Sequence, residues 1–245
     1  MPFFKIKRYY QFISNFLAFV KSPKTSFAPK LTIQDKLAES LTLFLVKFIF
    51  SIAVASLIGI FYEPQNLTDK SMSERFTPIV FLLAGGMILP LFEEVMFRLS
   101  LIFKPIYVAL SSACFGYYFC TKLIFNSRLS LVDDTFGYRI GIAILLGSLV
   151  FIVLNNQNVK KRLQSLWVKK FDLIYYSSAI LFGWLHILNF ELSYLNLLLT
   201  PILTLPQLFS GLITGYLRLK FGFLYPLSFH ILTNSILIGL SIFIE

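Results

Sequence analysis

Three short stretches hold the side chains that could do chemistry: Glu93-Glu94 with Arg98, Phe182 with His186, and His230 with Asn234. Glutamate can take a proton from water as a general base, and histidine can hold that water or polarise a carbonyl. An amide N–H can stabilise a developing oxyanion. Two histidines and a carboxylate could equally bind zinc, here through Glu93, His186 and His230. Residues four apart on a helix share a face, so Glu94 can pair with Arg98, and His230 stands over Asn234. Glu93 is turned about 100° from Glu94 and faces a different neighbour. With Arg98 neutralising one carboxylate, Glu93 stays usable as a base. The HExxH zinc-protease pattern is absent, and no serine sits in a GxSxG elbow.

The elements that must position these residues are apolar. Glu93, Glu94 and Arg98 lie within Phe76–Phe103, a run long enough to cross a bilayer. Hydrocarbon penalises such charges by about 2.5–3.5 kcal/mol each, so ionisable groups kept there are functional by default, with a structural clamp between helices as the plainer alternative. His186 and Asn234 also have plainer readings, as hydrogen-bonded glue between helices. The chain has 245 residues, 57% hydrophobic and 14% charged, against about 25% charged in soluble domains. Its apolar runs are long and continuous, which points to helices rather than barrel strands. The expected fold is an all-α, polytopic transmembrane helix bundle with a polar pocket inside. Seven membrane segments are expected: Leu41–Tyr62, Phe76–Phe103, Ile106–Phe125, Tyr138–Leu154, Leu173–Phe190, Leu192–Leu217 and Phe223–Ile244. An eighth crossing requires the N-terminal arm to insert. Pro201 and Pro206 break the sixth segment. Pro90 and Gly85-Gly86 predict a kink that could admit water or substrate. Gly211-x-x-x-Gly215 predicts a close-packing face.

Residues 1–36 form a basic arm with Lys5, Lys7, Arg8, Lys21, Lys24, Lys30 and Lys36 among Phe3, Phe4, Phe12, Phe16 and Leu17. An amphipathic helix on an anionic leaflet is expected there, or else a partly disordered arm. Residues 37–245 read as one transmembrane domain. The net charge of +10 would point to nucleic acid in a soluble protein; here the cations fit anionic lipid, and no nucleic-acid partner is expected. The arm, Lys104, the loop at 155–170 and Arg218/Lys220 fall on one side. Glu63 to Arg75, Asp133/Asp134, Glu191 and Glu245 fall on the other. The basic side, with the N-terminus, should be cytoplasmic. This topology leaves His186 about 10 Å in depth from Glu93 and His230. Cys114 and Cys120 are about 9 Å apart along one helix, too far for a disulfide.

Glu93-Glu94-x-x-x-Arg98, Phe182-x-x-x-His186 and His230-x-x-x-Asn234, in that order and each in a membrane segment, resemble the three motifs of the CAAX-protease and bacteriocin-processing (CPBP, or Abi) intramembrane proteases. The resemblance covers roughly residues 77–244. It implies a membrane endopeptidase with Glu93 as the water-activating base. His186, His230 and Asn234 match the other active-site positions, and Glu94, Arg98 and Phe182 match supporting ones. The family has been described both as zinc-dependent and as metal-free, so zinc stays open. Implied substrates are hydrophobic or lipidated peptides. Eukaryotic members trim prenylated CAAX proteins, and bacterial members are linked to bacteriocin maturation and self-immunity. This short chain resembles the bacterial kind, in a bacterial plasma membrane. Two other readings stand beside it: a catalytically silent immunity or scaffold protein, and a proton-coupled transporter. The transporter reading lacks a duplicated half.

Overall fold

A computed structural model describes residues 6–25, 31–62, 64 and 66–244; Phe3, Phe4, Lys5, Lys30, Glu63 and Glu245 lie outside the described residues. Regular structure among the described residues is helical, apart from an isolated bridge between Asn66 and Phe190. The helices are α1 (Ile6–Lys21), α2 (Ile33–Phe61), α3 (Leu67–Ser73), α4 (Pro78–Leu83), α5 (Leu89–Phe97), α6 (Pro105–Phe119) and α7 (Phe136–Asn155). They are followed by α8 (Gln157–Lys169), α9 (Phe171–Leu185), α10 (Tyr194–Leu198), α11 (Thr200–Leu203), α12 (Leu205–Phe221) and α13 (Leu224–Ile244). A π-helical turn, Ala84–Ile88, joins α4 to α5, and a 3-10 turn, Leu99–Leu101, extends α5.

Among the described residues, five helical stretches are long and apolar enough to cross a membrane: Ile33–Phe61, Pro78–Leu101, Phe136–Asn155, Phe171–Asn189 and Leu224–Ile242. They fit an integral membrane protein. Only 17% of the apolar window of α2 and 22% of that of α7 is buried inside the protein, which leaves the rest for hydrocarbon to cover. The third and sixth expected segments are not among the five. The third, α6, gives way after 15 residues to a second π turn, Cys120–Ile124, that carries Lys122. The sixth is cut at its prolines, which sit in the first turns of α11 and α12, where a missing N–H costs nothing.

Two other stretches differ from the sequence reading. Residues 157–169 are a helix rather than a loop. Asn156 caps it by accepting from the N–H groups of Asn158 and Val159, and its residues are mostly strong helix formers. The first long helix starts at Ile33 rather than Leu41, with the Thr32 side chain accepting from the Asp35 N–H. The arm itself forms α1, but its apolar face is turned into the protein and not simply laid on a leaflet. Phe12, Phe16 and Phe19 are buried; Phe16 meets the Tyr216 ring at 5.6 Å and Phe19 meets Tyr175 at 5.2 Å. Aromatic pairs of this kind add to the area they bury.

Small residues set the distance between α9 and α12, and so the position of His186. A Cβ on Gly183 would come within 2.9 Å of the Leu208 Cα, one on Gly211 within 3.2 Å of the Ala179 Cα, and one on Gly215 within 2.7 Å of Tyr175 Cε2. The Gly211–Gly215 face is therefore a close-packing face, with α9 as its partner. Polar contacts between helix ends fall into two groups. In one, Lys220 Nζ meets Glu39 at 2.6 Å, Trp167 donates to the Ser100 carbonyl and Arg218 donates to the Arg98 carbonyl. In the other, the Tyr62 hydroxyl donates to Asn196, Arg75 to Ser130 and Arg139 to Asp133.

Candidate functional site

The bend expected from Gly85-Gly86 and Pro90 takes the form of the π turn. Its register, with the Leu89 N–H on the Ala84 carbonyl, would pair the Gly85 carbonyl with the N–H of residue 90. Residue 90 is proline and has none. Asn234 supplies the missing donor: its Nδ2 lies 3.2 Å from the Gly85 oxygen. The two glycines let α13 close on this turn, since a Cβ on Gly86 would sit 2.9 Å from Ser235 Oγ and one on Gly85 2.8 Å from Ile238 Cδ1. Asn234 therefore spends one amide hydrogen on the backbone and keeps one.

One turn further on, the two glutamates bracket a single imidazole. Glu94 is fully buried, and its Oε1 lies 2.9 Å from His230 Nδ1. Glu93 faces His230 from the other side, with Oε2 3.5 Å from Nε2 and 23% of its side chain exposed. The expectation that they serve different neighbours thus holds only in part: they reach opposite nitrogens of one ring. Arg98 lies 3.8 Å from Glu94 as the spacing predicts, and it is also fully buried. Its Nε donates to Thr214 at 2.9 Å, and its guanidinium lies 3.7 Å from the Phe182 ring centroid. That cation–π contact is part of what supports a buried charge whose two terminal nitrogens have no hydrogen-bond partner. With Arg98 alongside, Glu94 is the acceptor and His230 Nδ1 carries the hydrogen; a neutral ring then presents a lone pair on Nε2 to Glu93.

His186 reaches the same place through Phe182. The Phe182 ring centroid lies 4.7 Å from that of His186 and 5.6 Å from that of His230, so one phenyl bridges the depth difference expected between the histidines. The ring sits where α9 tightens into the 3-10 turn His186–Asn189. His186 Nδ1 lies 2.6 Å from the Phe182 carbonyl, which can only accept, so Nδ1 is the protonated nitrogen. The neutral ring offers Nε2 as an acceptor. It is suited to holding a water and not to polarising a carbonyl.

Glu93, His186, His230 and Asn234 all line one cavity of about 520 Å³, together with Phe182, Gly85 and apolar residues such as Leu89 and Met96. Glu94 and Arg98 stand behind its wall. The cavity also has lining residues that the motif reading passed over: Lys47 with Ser51 on α2, Gln207 with Ser210 on α12, and Arg75, Lys122 and Arg128. Lys47 was legible by the rule that singled out Glu93, as a charge inside an apolar run. Arg75 and Arg128 lie in connecting stretches, where a cation is unremarkable.

Zinc requires three or more protein ligands. Glu93 and His230 present two donor atoms 3.5 Å apart, but among the described residues no three His, Cys, Asp or Glu side chains gather into a metal-holding group. The residues as placed do not fit zinc. Protein-family models, curated proteins and solved structures were each compared with the chain, and none matches it.

Proposed function

We propose that the chain is an intramembrane endopeptidase of the CPBP kind, hydrolysing a peptide bond in a hydrophobic or lipidated, membrane-associated peptide. The observation that carries this reading is the opposed pair Glu93 and His230 on a cavity wall, with Glu94 fixing the far side of the ring. A water oxygen set against Glu93 Oε2 and His230 Nε2 is within hydrogen-bond reach of both. Glu93 removes its proton as the oxygen attacks the scissile carbonyl carbon, and the carbonyl electron pair moves onto oxygen. The amide hydrogen that Asn234 keeps is available to that oxyanion. Glu93 then returns the proton to the leaving nitrogen as the C–N bond breaks, which restores the carboxylate. His186 Nε2 accepts from a water and helps order it.

The reading includes seven crossings. Five are the long spans, α6 with its π turn is the third, and α12 is the sixth, with the N-terminus and basic helix ends cytoplasmic in a bacterial plasma membrane. Reconstituted protein should cut a hydrophobic or lipidated peptide, and Glu93→Gln should abolish cutting without unfolding the protein. Undiminished cleavage by that variant would sink the assignment. Single cysteines placed at residues 128 and 161 should be labelled from outside and inside the cell respectively; labelling from one side only would overturn the crossing pattern.

A further inference from the structure

The motif residues leave most of the cavity's charge unexplained. Among its described lining residues Glu93 is the one carboxylate, while Lys47, Arg75, Lys122 and Arg128 are cations. Arg128 lies close enough to both Arg75 and Lys122 to repel them. Of the four, Arg75 has polar partners, the Ser71 carbonyl and the Ser130 hydroxyl, and neither carries charge. Walls of low dielectric focus such a field into the cavity.

Lys47 is the least expected of these residues. It sits at the midpoint of α2, about two turns beyond Glu39 and inside the apolar run that begins at Leu41. The residue is 5% exposed. Among the described residues no carboxylate stands within ion-pair distance of it, and it makes no hydrogen bond. Ser51, one turn along α2, and Gln207 on α12 line the cavity with it, and the Ser51 hydroxyl and the Gln207 carbonyl oxygen are buried without a partner. A buried ammonium is ordinarily neutralised by an acid of the same chain. Here the neighbours are neutral, polar and unpartnered, in a cavity that also holds the proposed hydrolytic pair.

We infer that the cavity selects an anionic substrate and that Lys47 binds a carboxylate of the peptide to be cut. The cations Arg75, Lys122 and Arg128 draw that carboxylate in, and Lys47 holds it on the α2 wall of the cavity that Glu93 also lines. Lys47 is then a specificity-determining residue, and the proposal rests on the endopeptidase reading for the identity of the peptide.

The test separates binding from cleavage. Hydrophobic octapeptides labelled at the N-terminus with an uncharged boron-dipyrromethene dye carry either Asp or Asn at one position, and either a free or an amidated C-terminus. Binding to full-length Glu93→Gln protein in nanodiscs is followed by fluorescence polarisation, with wild-type cleavage measured in parallel. Removing the carboxylates should weaken binding by about tenfold, the scale of a desolvated charge pair. The Asp and C-terminal arms show which carboxylate is read. Adding Lys47→Gln should erase the preference, and Lys47→Arg should retain it. Equal binding of all peptides, or a preference that survives Lys47→Gln, overturns the proposal. If peptides are cut with no carboxylate preference, the subsite fails and the endopeptidase reading stands. If the preference holds and depends on Lys47 but nothing is cut, the subsite stands and the endopeptidase reading fails. If no peptide binds, both fall.

Discussion

The molecule buries two clusters of carboxylate, cation and ring, and they differ in how completely they are satisfied. In the first, Glu39 on α2 accepts from the Tyr216 hydroxyl and from Lys220 Nζ, and Lys220 also donates to Tyr216. No buried side-chain atom of these three lacks a partner, and Lys220 retains some exposure at a helix end. In the second, Glu94 and Arg98 are fully buried and His230 nearly so, yet among the described residues Glu94 Oε2 and both terminal nitrogens of Arg98 are without hydrogen-bond partners, and Glu93 looks onto a cavity. A closed network is what a clamp between helices needs. Unmet buried polar atoms are costly to keep, so the second cluster is not built for stability alone.

The sharpest way to break this contrast is Glu93→Gln. Loss of a general base should lower cleavage by about 10²–10⁴-fold while the melting temperature stays close to wild type. Glu39→Gln should do the reverse, lowering stability by about 1–3 kcal/mol with cleavage per folded molecule unchanged. Equal losses of activity in the two variants would mean that both clusters are clamps. Glu94→Gln falls between them. It leaves Arg98 buried and unpaired, which costs about 3–5 kcal/mol of stability in thermal or denaturant unfolding. It also releases His230 from its fixed tautomer, so refolded or stabilised protein should still cut slowly.

What could be read from the sequence divides along the same line. Charges inside apolar runs are conspicuous because hydrocarbon makes them expensive, so Glu93, Glu94, Arg98 and the long spans were legible. The i,i+4 pairing of Glu94 with Arg98 followed from helical geometry, as did the packing face at Gly211 and Gly215. That both glutamates reach one histidine was not legible, because it depends on the crossing of α5 and α13. The π turn could be anticipated only as a kink. Its register decides that Asn234 answers Gly85, and register is invisible in composition. The cations of α8 suit a loop and a helix alike, so its helical state is not legible in them. That Phe12, Phe16 and Phe19 of α1 pack on protein is not legible either, because an apolar stripe does not say whether lipid or protein covers it.

A smaller effect probes how the open cluster is built. If Asn234 is recruited because Pro90 has no N–H, the two residues must be coupled. Asn234→Ala alone should cost about 1 kcal/mol or more, since it leaves a buried carbonyl unanswered. Pro90→Ala restores a backbone donor in the same register, and in that background Asn234→Ala should cost much less. A double-mutant cycle in urea should give a coupling of about 0.5–2 kcal/mol. Strict additivity would mean that the Asn234 contact is incidental, and its remaining amide hydrogen would lose its fixed direction.

The smallest effect comes from a carboxylate outside the spans, which calibrates the two inside. Asp133 accepts from the Ser127 and Thr135 hydroxyls, each at 2.6 Å, from the Thr135 N–H, and from Arg139 at 3.0 Å. The Ser127 hydrogen bond above all, then those from Thr135, with the Arg139 charge, hold its carboxyl below the usual carboxylate range against a smaller opposing effect of burial. The folded state therefore binds this proton less readily than the unfolded state. Its contribution to stability is fully present above the ordinary aspartate pKa of about 3.9 and is lost as the pH falls through the folded value. The melting temperature of the wild type should decline on acidification below about pH 4, and Asp133→Asn should decline less steeply over the same window. Because Arg139 is fully buried and Asp133 is partly exposed, the variant should also start from a lower melting temperature at neutral pH, as the Arg139 cation then loses its carboxylate and keeps only uncharged partners, two carbonyls and the Tyr117 and Phe136 rings. Identical acid slopes would place the hydrogen-bonded knot at 127–139 outside the cooperative unit that melts, and acid sensitivity would then belong to the buried carboxylates alone.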